Sequence, residues 1–504
     1  MKSDPLATGI FTLNLDQSER KIMWPAMNSL DSFPQYGFQH SQLGNLTGIA
    51  RGSDVVQFRG IPFAEIPGRF RQARLLESLP QQPFDARRSG AYCPQPLLPF
   101  PLSWEGGIPA DYPEFPEAPQ DEFDCLNLSI TVSRDALENS SVESLPVLFF
   151  IYGGAFIGGS QSTQVTGREI YDGTNLVRAA IARKQPIVVV TSNYRVGPLG
   201  FLASKELKAF NKAHGEPVGN YGLHDQRQAL EWCNKFIAGF GASTNDTVAL
   251  LQSIKVDDIV VPVSNDIAWP LIDGEWIPET TMEKISTMYK DGTAPDLMIG
   301  ACEYQSGMTQ ELLTGDVREK FYNFASSNGM IVDPERFPDA YPSVTGLYKI
   351  TSSLEKPSSA ISGWADLMAD IVFRITGFYI AAHHPANVLV YEIRGKNPYP
   401  PSLGQANHAV NDVFLFDVAP DLVPEDLQKA HAGNVAQIRA AWLDFCYGKL
   451  PWGSCHGGDD GLLSMHIFEH GETGRDAQTL EDAVGETLAQ KWKGLFKAIN
   501  AFIK

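Results

Sequence analysis

Residues 187–194 read IVVVTSNY, and residues 224–240 read HDQRQALEWCNKFIAGF with Gly241 after them. The first is a continuous apolar, β-branched run behind a proline, the pattern of a strand covered on both faces. The second places Leu230, Cys233, Ile237 and Phe240 near one face at helical spacing, and Gly241 is a C-terminal stop. The same two patterns recur. Apolar runs at 146–152 (PVLFFIY), 247–251 (TVALL) and 387–393 (NVLVYEI) predict further strands, and helices are expected from about 430 to 447 and from about 479 to 504. Strands alternating with helices predict an α/β fold, a mostly parallel central sheet flanked by helices.

The bulk numbers set limits on this. The 504 residues suffice for one large α/β domain. Residues 1–40 lack periodicity and read as an N-terminal extension, with 41–504 expected as a single domain. The chain carries 59 acidic and 40 basic residues, a formal charge of -19, and no Lys/Arg-rich run. Such a surface repels phosphate backbones, so nucleic acid is not an expected partner. No stretch of about 18 apolar residues predicts a membrane span. The first 25 residues lack the apolar core of about 7–15 residues that a signal peptide needs. A cytoplasmic place is therefore expected, or a secreted one if the natural start lies elsewhere. Six cysteines without a CxxC pair predict neither a zinc site nor a disulfide scaffold. No metal or other cofactor is called for, and the oligomeric state is not set by anything in the sequence.

Residues 151–160, IYGGAFIGGS, run from a buried strand into a glycine turn. Glycines let the backbone approach a ligand closely and aim N–H groups at it, as stabilisation of a developing oxyanion requires. On the glycines alone, a plain strand-to-loop turn is the commoner reading.

Further blocks decide between the two. Residues 57–65 (QFRGIPFAE), 124–130 (DCLNLSI), 193–202 (NYRVGPLGFL) and 219–232 (GNYGLHDQRQALEW) follow one another in order. Together they resemble the type-B carboxylesterase/lipase family, the cholinesterase-like α/β-hydrolases. The resemblance implies an α/β-hydrolase fold and an oxyanion hole at Gly153 and Gly154. It also implies a disulfide between Cys93, in AYCPQ, and Cys125. Residues 404–416, GQANHAVNDVFLF, resemble the family's histidine segment and put His408 at the general base, with Asn411 at a usually acidic site and Asp412 beside it. A base titrating near neutrality is what activation of a hydroxyl needs.

Two positions of the family's triad depart from the pattern. No G-x-S-x-G nucleophile elbow exists in the chain, and the serine nucleophile is not found. Ser253 follows the 247–251 run, but Leu251 and Lys255 stand where the tight turn wants small residues. Residues 325–329 (ASSNG) and 241–245 (GASTN) are poorer substitutes. Several dozen residues are expected to be deleted near position 249. At the acid position, residues 297–307 (LMIGACEYQSG) put Gln305 by count, with Glu303 two residues away as the alternative; Glu303 as a solvated loop residue is the bland reading.

The resemblance therefore implies a serine carboxylesterase acting on a small-molecule ester or related metabolite, with an incomplete triad. Two alternatives stay open: an inactive relative that acts by binding or interaction, and a non-hydrolytic metabolite-processing enzyme, for instance of secondary metabolism, using His408 as its base.

Overall fold

A computed structural model describes residues 33–95, 117–139, 144–165, 168–243, 294–305, a few positions between 346 and 367, and then 369–400, 402–455, 465–471 and 473–503. The 247–251 run, Ser253 and residues 325–329 lie outside the described residues.

Six main strands build the first sheet: β1 (Gln35–His40), β2 (Gly44–Arg51), β3 (Val55–Pro62), β4 (Asn127–Ser133), β5 (Val147–Ile151) and β6 (Val188–Ser192). They lie in the order β1-β2-β3-β4-β6-β5, and the short strand Phe84–Asp85 pairs with β2 to make seven. A second sheet holds β7 (Leu297–Cys302), β8 (Val388–Ile393), β9 (Met465–Phe468) and β10 (Arg475–Ala477) in that order. Parallel pairing, expected for most of the sheet, holds where β5 meets β6 and along β7-β8-β9. The outer strands are antiparallel, so the sheet is mixed. The reason is connection length: β1, β2 and β3 follow one another through turns of three residues, which cannot make a parallel crossover.

Among the helices are α1 (Thr174–Ala182), α2 (Tyr221–Phe236), α3 (Thr376–His383), α4 (Val410–Phe416), α5 (Gln428–Cys446) and α6 (Glu486–Ile503). Helix α2 ends through a short 3₁₀ turn at Gly241, whose φ of +84° is the left-handed stop its sequence predicts. The C-terminal helix is two pieces, Leu480–Val484 and α6, parted by Gly485 at φ +81°.

One expectation is corrected. The extension placed at residues 1–40 does not reach 40, because Gln35–His40 is a strand of the sheet, paired along its length with Gly44–Ile49. Phe38 packs on Phe58 (5.3 Å between centroids) and Phe240 (5.6 Å), and His40 Nε2 bonds the Phe236 carbonyl at 2.9 Å. Burial of this turn and aromatic area outweighs the weak strand signal of QYGFQH.

The two sheets part between β5 and β7. After Gly241 the chain starts down beside β5: Leu145 N–H donates to the Gly241 carbonyl, and Ser243 N–H to the Leu145 carbonyl. A core still bridges the two halves. Leu148 on β5 and Val189 on β6 share a buried cluster with Cys302, Leu389, Ile393 and Phe414.

Candidate active site

The glycine turn sits at the C-terminal end of β5. Tyr152 is buried, stacks on Tyr194 at 4.6 Å and donates its hydroxyl to the Tyr194 carbonyl at 3.0 Å. Beyond it the backbone leaves ordinary space. Gly154 has φ +133°, and the next two residues, Ala155 and Phe156, are left-handed at +52° and +61°. A Cβ on Gly154 would lie 2.0 Å from the Gly158 carbonyl oxygen, so only glycine fits. The turn closes through the Gly154 carbonyl, which accepts from Ile157 N–H at 2.9 Å and Gly158 N–H at 3.3 Å. Gly153 and Gly154, where the resemblance puts an oxyanion hole, stand at the head of this turn.

The blocks that carry the resemblance are the frame of this turn. Gly197 N–H donates to the Phe156 carbonyl at 2.6 Å, and Phe201 packs on Phe156 at 5.0 Å. Arg195 and Asp225, from two different blocks, form a fork at 2.7 Å through Nε and Nη2, exposed by only 2% and 0%. Gln95 holds the far end of the turn by accepting from Gly159 N–H and donating to its carbonyl.

Cys93 and Cys125 are neighbours, as the resemblance implies, but both are free thiols in this structure. Their mutual hydrogen bond holds Cys93 below its ordinary value and pushes Cys125 well above. Each sulfur also has its own partner: Val196 N–H donates to Cys93 Sγ at 3.5 Å, and Cys125 donates to the Glu122 carbonyl at 3.4 Å.

The histidine stands at the C-terminal ends of the second sheet. Tyr304 N–H donates to the Ala406 carbonyl at 2.9 Å, tying the end of β7 to the loop that carries His408. Of the two candidates for the acid position, Gln305 is the one that meets His408: His408 Nδ1–H donates to Gln305 Oε1 at 2.7 Å, and Gln305 is buried. Glu303 is exposed, with its N–H on the Ile393 carbonyl and its own carbonyl held by Arg374. Two residues along a strand end carry a side chain about 6–7 Å away, too far to reach the same ring nitrogen.

Gln305 orients the imidazole and leaves the lone pair on Nε2, the tautomer a general base requires. It supplies no negative charge. Burial alone pushes His408 down to about 4, so the ring is neutral at pH 7. Asp412, on α4, is pushed up to about 7, again by burial, and accepts from Asn411 Nδ2 at 2.7 Å. Phe150 on β5, next to the glycine turn, packs on Phe416 of α4 at 4.9 Å, so the two parts of the site share one wall.

Among the described residues, no group of three or more His, Cys, Asp or Glu could hold a metal ion, and no helix is long and apolar enough to cross a membrane.

Comparison with known proteins agrees with this frame. Residues 39–251 match the model of the carboxylesterase family. A secreted triacylglycerol lipase of Gibberella zeae is 34% identical over 56% of this chain and 48% of its own length. The para-nitrobenzyl esterase of Bacillus subtilis is 32% identical over 42% of this chain and 37% of its own. The chain thus spans half or less of these relatives' length. Two solved structures show the fold: a thermophilic pNB esterase (TM-score 0.66, 19% identity, covering 91% of this chain and 100% of that one) and EstA of Aspergillus niger (0.63, 16%, 92% and 99%). Over residues 39–251 the chain is similar to the carboxylesterase family, and across its described residues it shares the fold of these solved esterase structures.

Proposed function

We propose that this protein is a carboxylic ester hydrolase acting on small-molecule esters. The observation that carries the reading is the 2.7 Å bond from His408 Nδ1 to Gln305 Oε1, which leaves Nε2 as a base. In the reaction His408 takes the proton of an attacking hydroxyl, and that oxygen adds to the ester carbonyl. The Gly153 and Gly154 N–H groups stabilise the oxyanion, and His408 returns the proton to the departing alcohol. Water then releases the acid by the same steps if the attacking hydroxyl was a side chain. Names of relatives support esters as substrates, since they include a triacylglycerol lipase and a para-nitrobenzyl esterase.

The test is hydrolysis of a short p-nitrophenyl ester by the full chain and by His408→Ala. Turnover that falls at least about 100-fold in the variant supports the base. Equal turnover in both sinks it. Labelling by a fluorophosphonate, followed by peptide mapping, identifies the serine if the attack is covalent.

A further inference from the structure

His408 has a second neighbour besides Gln305. The Phe373 ring packs against it, with centroids 4.9 Å apart and planes inclined by 50°. Phe373 belongs to a π-helix, Asp370–Ile375, that runs straight into α3. A π-turn takes one residue more than an α-turn, is rare, and recurs beside functional groups. Here the groups that hold it are visible. Thr376 Oγ1 donates to the Ile371 carbonyl at 2.5 Å. Buried Asp370 accepts from the Tyr348 hydroxyl at 2.7 Å and from Arg374 Nη1 at 2.5 Å. Arg374 Nη2 reaches on to the Glu303 carbonyl, two residues before Gln305.

Consecutive residues of one turn therefore reach His408 and the strand end that leads to Gln305. Phe373 meets the ring of His408, and Arg374 meets the backbone leading to Gln305. Val372, just before them, is 41% exposed while Phe373 is half-buried, so this turn forms the rim of the site.

We infer that Phe373 is a positioning residue for the proposed hydrolysis: its ring presses the His408 imidazole toward Gln305 and keeps water off it, and Arg374 locks the turn to the Gln305 loop. The chemistry rests on the hydrolase reading above, whereas the geometry does not. The charged groups on the elements next to His408 are exposed Glu303 on the β7 loop, Arg374 and Asp370 on the π-helix and Asp412 on α4. The depressed basicity of the ring comes from burial rather than from these charges, so the apolar cover is what governs it.

The experiment is an NMR titration of the full chain carrying ¹³Cε1-labelled histidine, with His408 assigned by its loss in His408→Ala. His40 lies in the other sheet, bonded to the Phe236 carbonyl, and its resonance is the internal control. In Phe373→Ala the His408 midpoint is expected to rise by at least about one pH unit toward about 6.5, while His40 stays. Phe373→Leu, which keeps the cover, holds the midpoint within about 0.3 units of the starting value. An unchanged midpoint in Phe373→Ala overturns the inference. If that variant disturbs His40 as well, the series Leu, Val at position 373 decides: a midpoint that climbs as the side chain shrinks supports the role, and a flat series ends it. The acid limb of p-nitrophenyl ester hydrolysis should move with the midpoint. A shifted midpoint in a chain with no hydrolysis sinks the hydrolase reading and leaves the positioning role. Normal hydrolysis with a midpoint that ignores Phe373 does the reverse.

Discussion

Asp225 and Gln305 hold comparable places in the two halves of this protein, and they differ by a charge. In the first half, Asp225 receives Arg195 through two 2.7 Å bonds in full burial, and the pair locks the frame under the glycine turn. In the second half, Gln305 receives His408 through a single 2.7 Å bond with no charge on either side. A buried arginine cannot shed its proton, so its carboxylate is compulsory. A buried histidine can go neutral, so an amide suffices to place it. The frame therefore keeps its ions while His408 keeps only its orientation.

Breaking the first pair should have the largest effect. Asp225→Asn leaves Arg195 charged and buried, and a loss of about 3–5 kcal/mol in unfolding free energy is expected. Urea denaturation followed by circular dichroism reads it, and a midpoint like that of the parent chain would show the pair to be dispensable. Next comes the turn itself. Gly154→Ala drives a Cβ into the Gly158 carbonyl at 2.0 Å, whereas Gly153 has nothing within 4 Å of such an atom. Ester hydrolysis should fall about 10²–10³-fold in Gly154→Ala, the loss typical of one oxyanion donor. Gly153→Ala should remain within a few fold. Equal losses in both would detach the oxyanion role from the geometry of the turn.

Gln305→Glu tests the second pair by making it resemble the first. Removing the acid of a Ser-His-Asp triad costs about 10⁴ in kcat, partly through the wrong tautomer. Gln305 already fixes the tautomer, so only the charge is to be regained, and a gain of about 10–100-fold is expected. No gain would mean that chemistry is not limited by charge on the imidazole. The smallest effect is on pH dependence. His408 is neutral down to about 4, so the acid limb of hydrolysis should lie near there in the parent chain and move upward in Gln305→Glu. The sign for stability follows from the same depression. Unfolded histidine takes up protons below about 6.5 and folded His408 does not. This contribution is complete above about pH 6.5 and is lost as pH falls toward 4.

Much of this was legible in the residues. The strands at 147–151, 188–192 and 388–393, the stop at Gly241 and the glycine turn are local, because β-branched runs and left-handed glycines declare their backbone without reference to partners. His408 was found through its segment. Strand β1 was missed, although Tyr36, Phe38 and His40 alternate inward along it, because six residues with a glycine among them are a faint signal. The π-helix left no mark at all: DIVFRI is an ordinary helical stretch, and the partners its turn meets, Tyr348 and Glu303, lie outside it in the chain.

By itself the sequence determined the layer architecture, the order of the site's parts along the chain, and the absence of a G-x-S-x-G, since all three are written in composition, period and neighbouring residues. Tertiary structure decided which side chain meets His408. Glu303 and Gln305 are two residues apart, and a strand end, an arginine on a π-turn and the loop at Ala406 combine to turn Gln305 to the ring and Glu303 to solvent. That choice is made across 103 residues of chain by packing, where no local preference can reach.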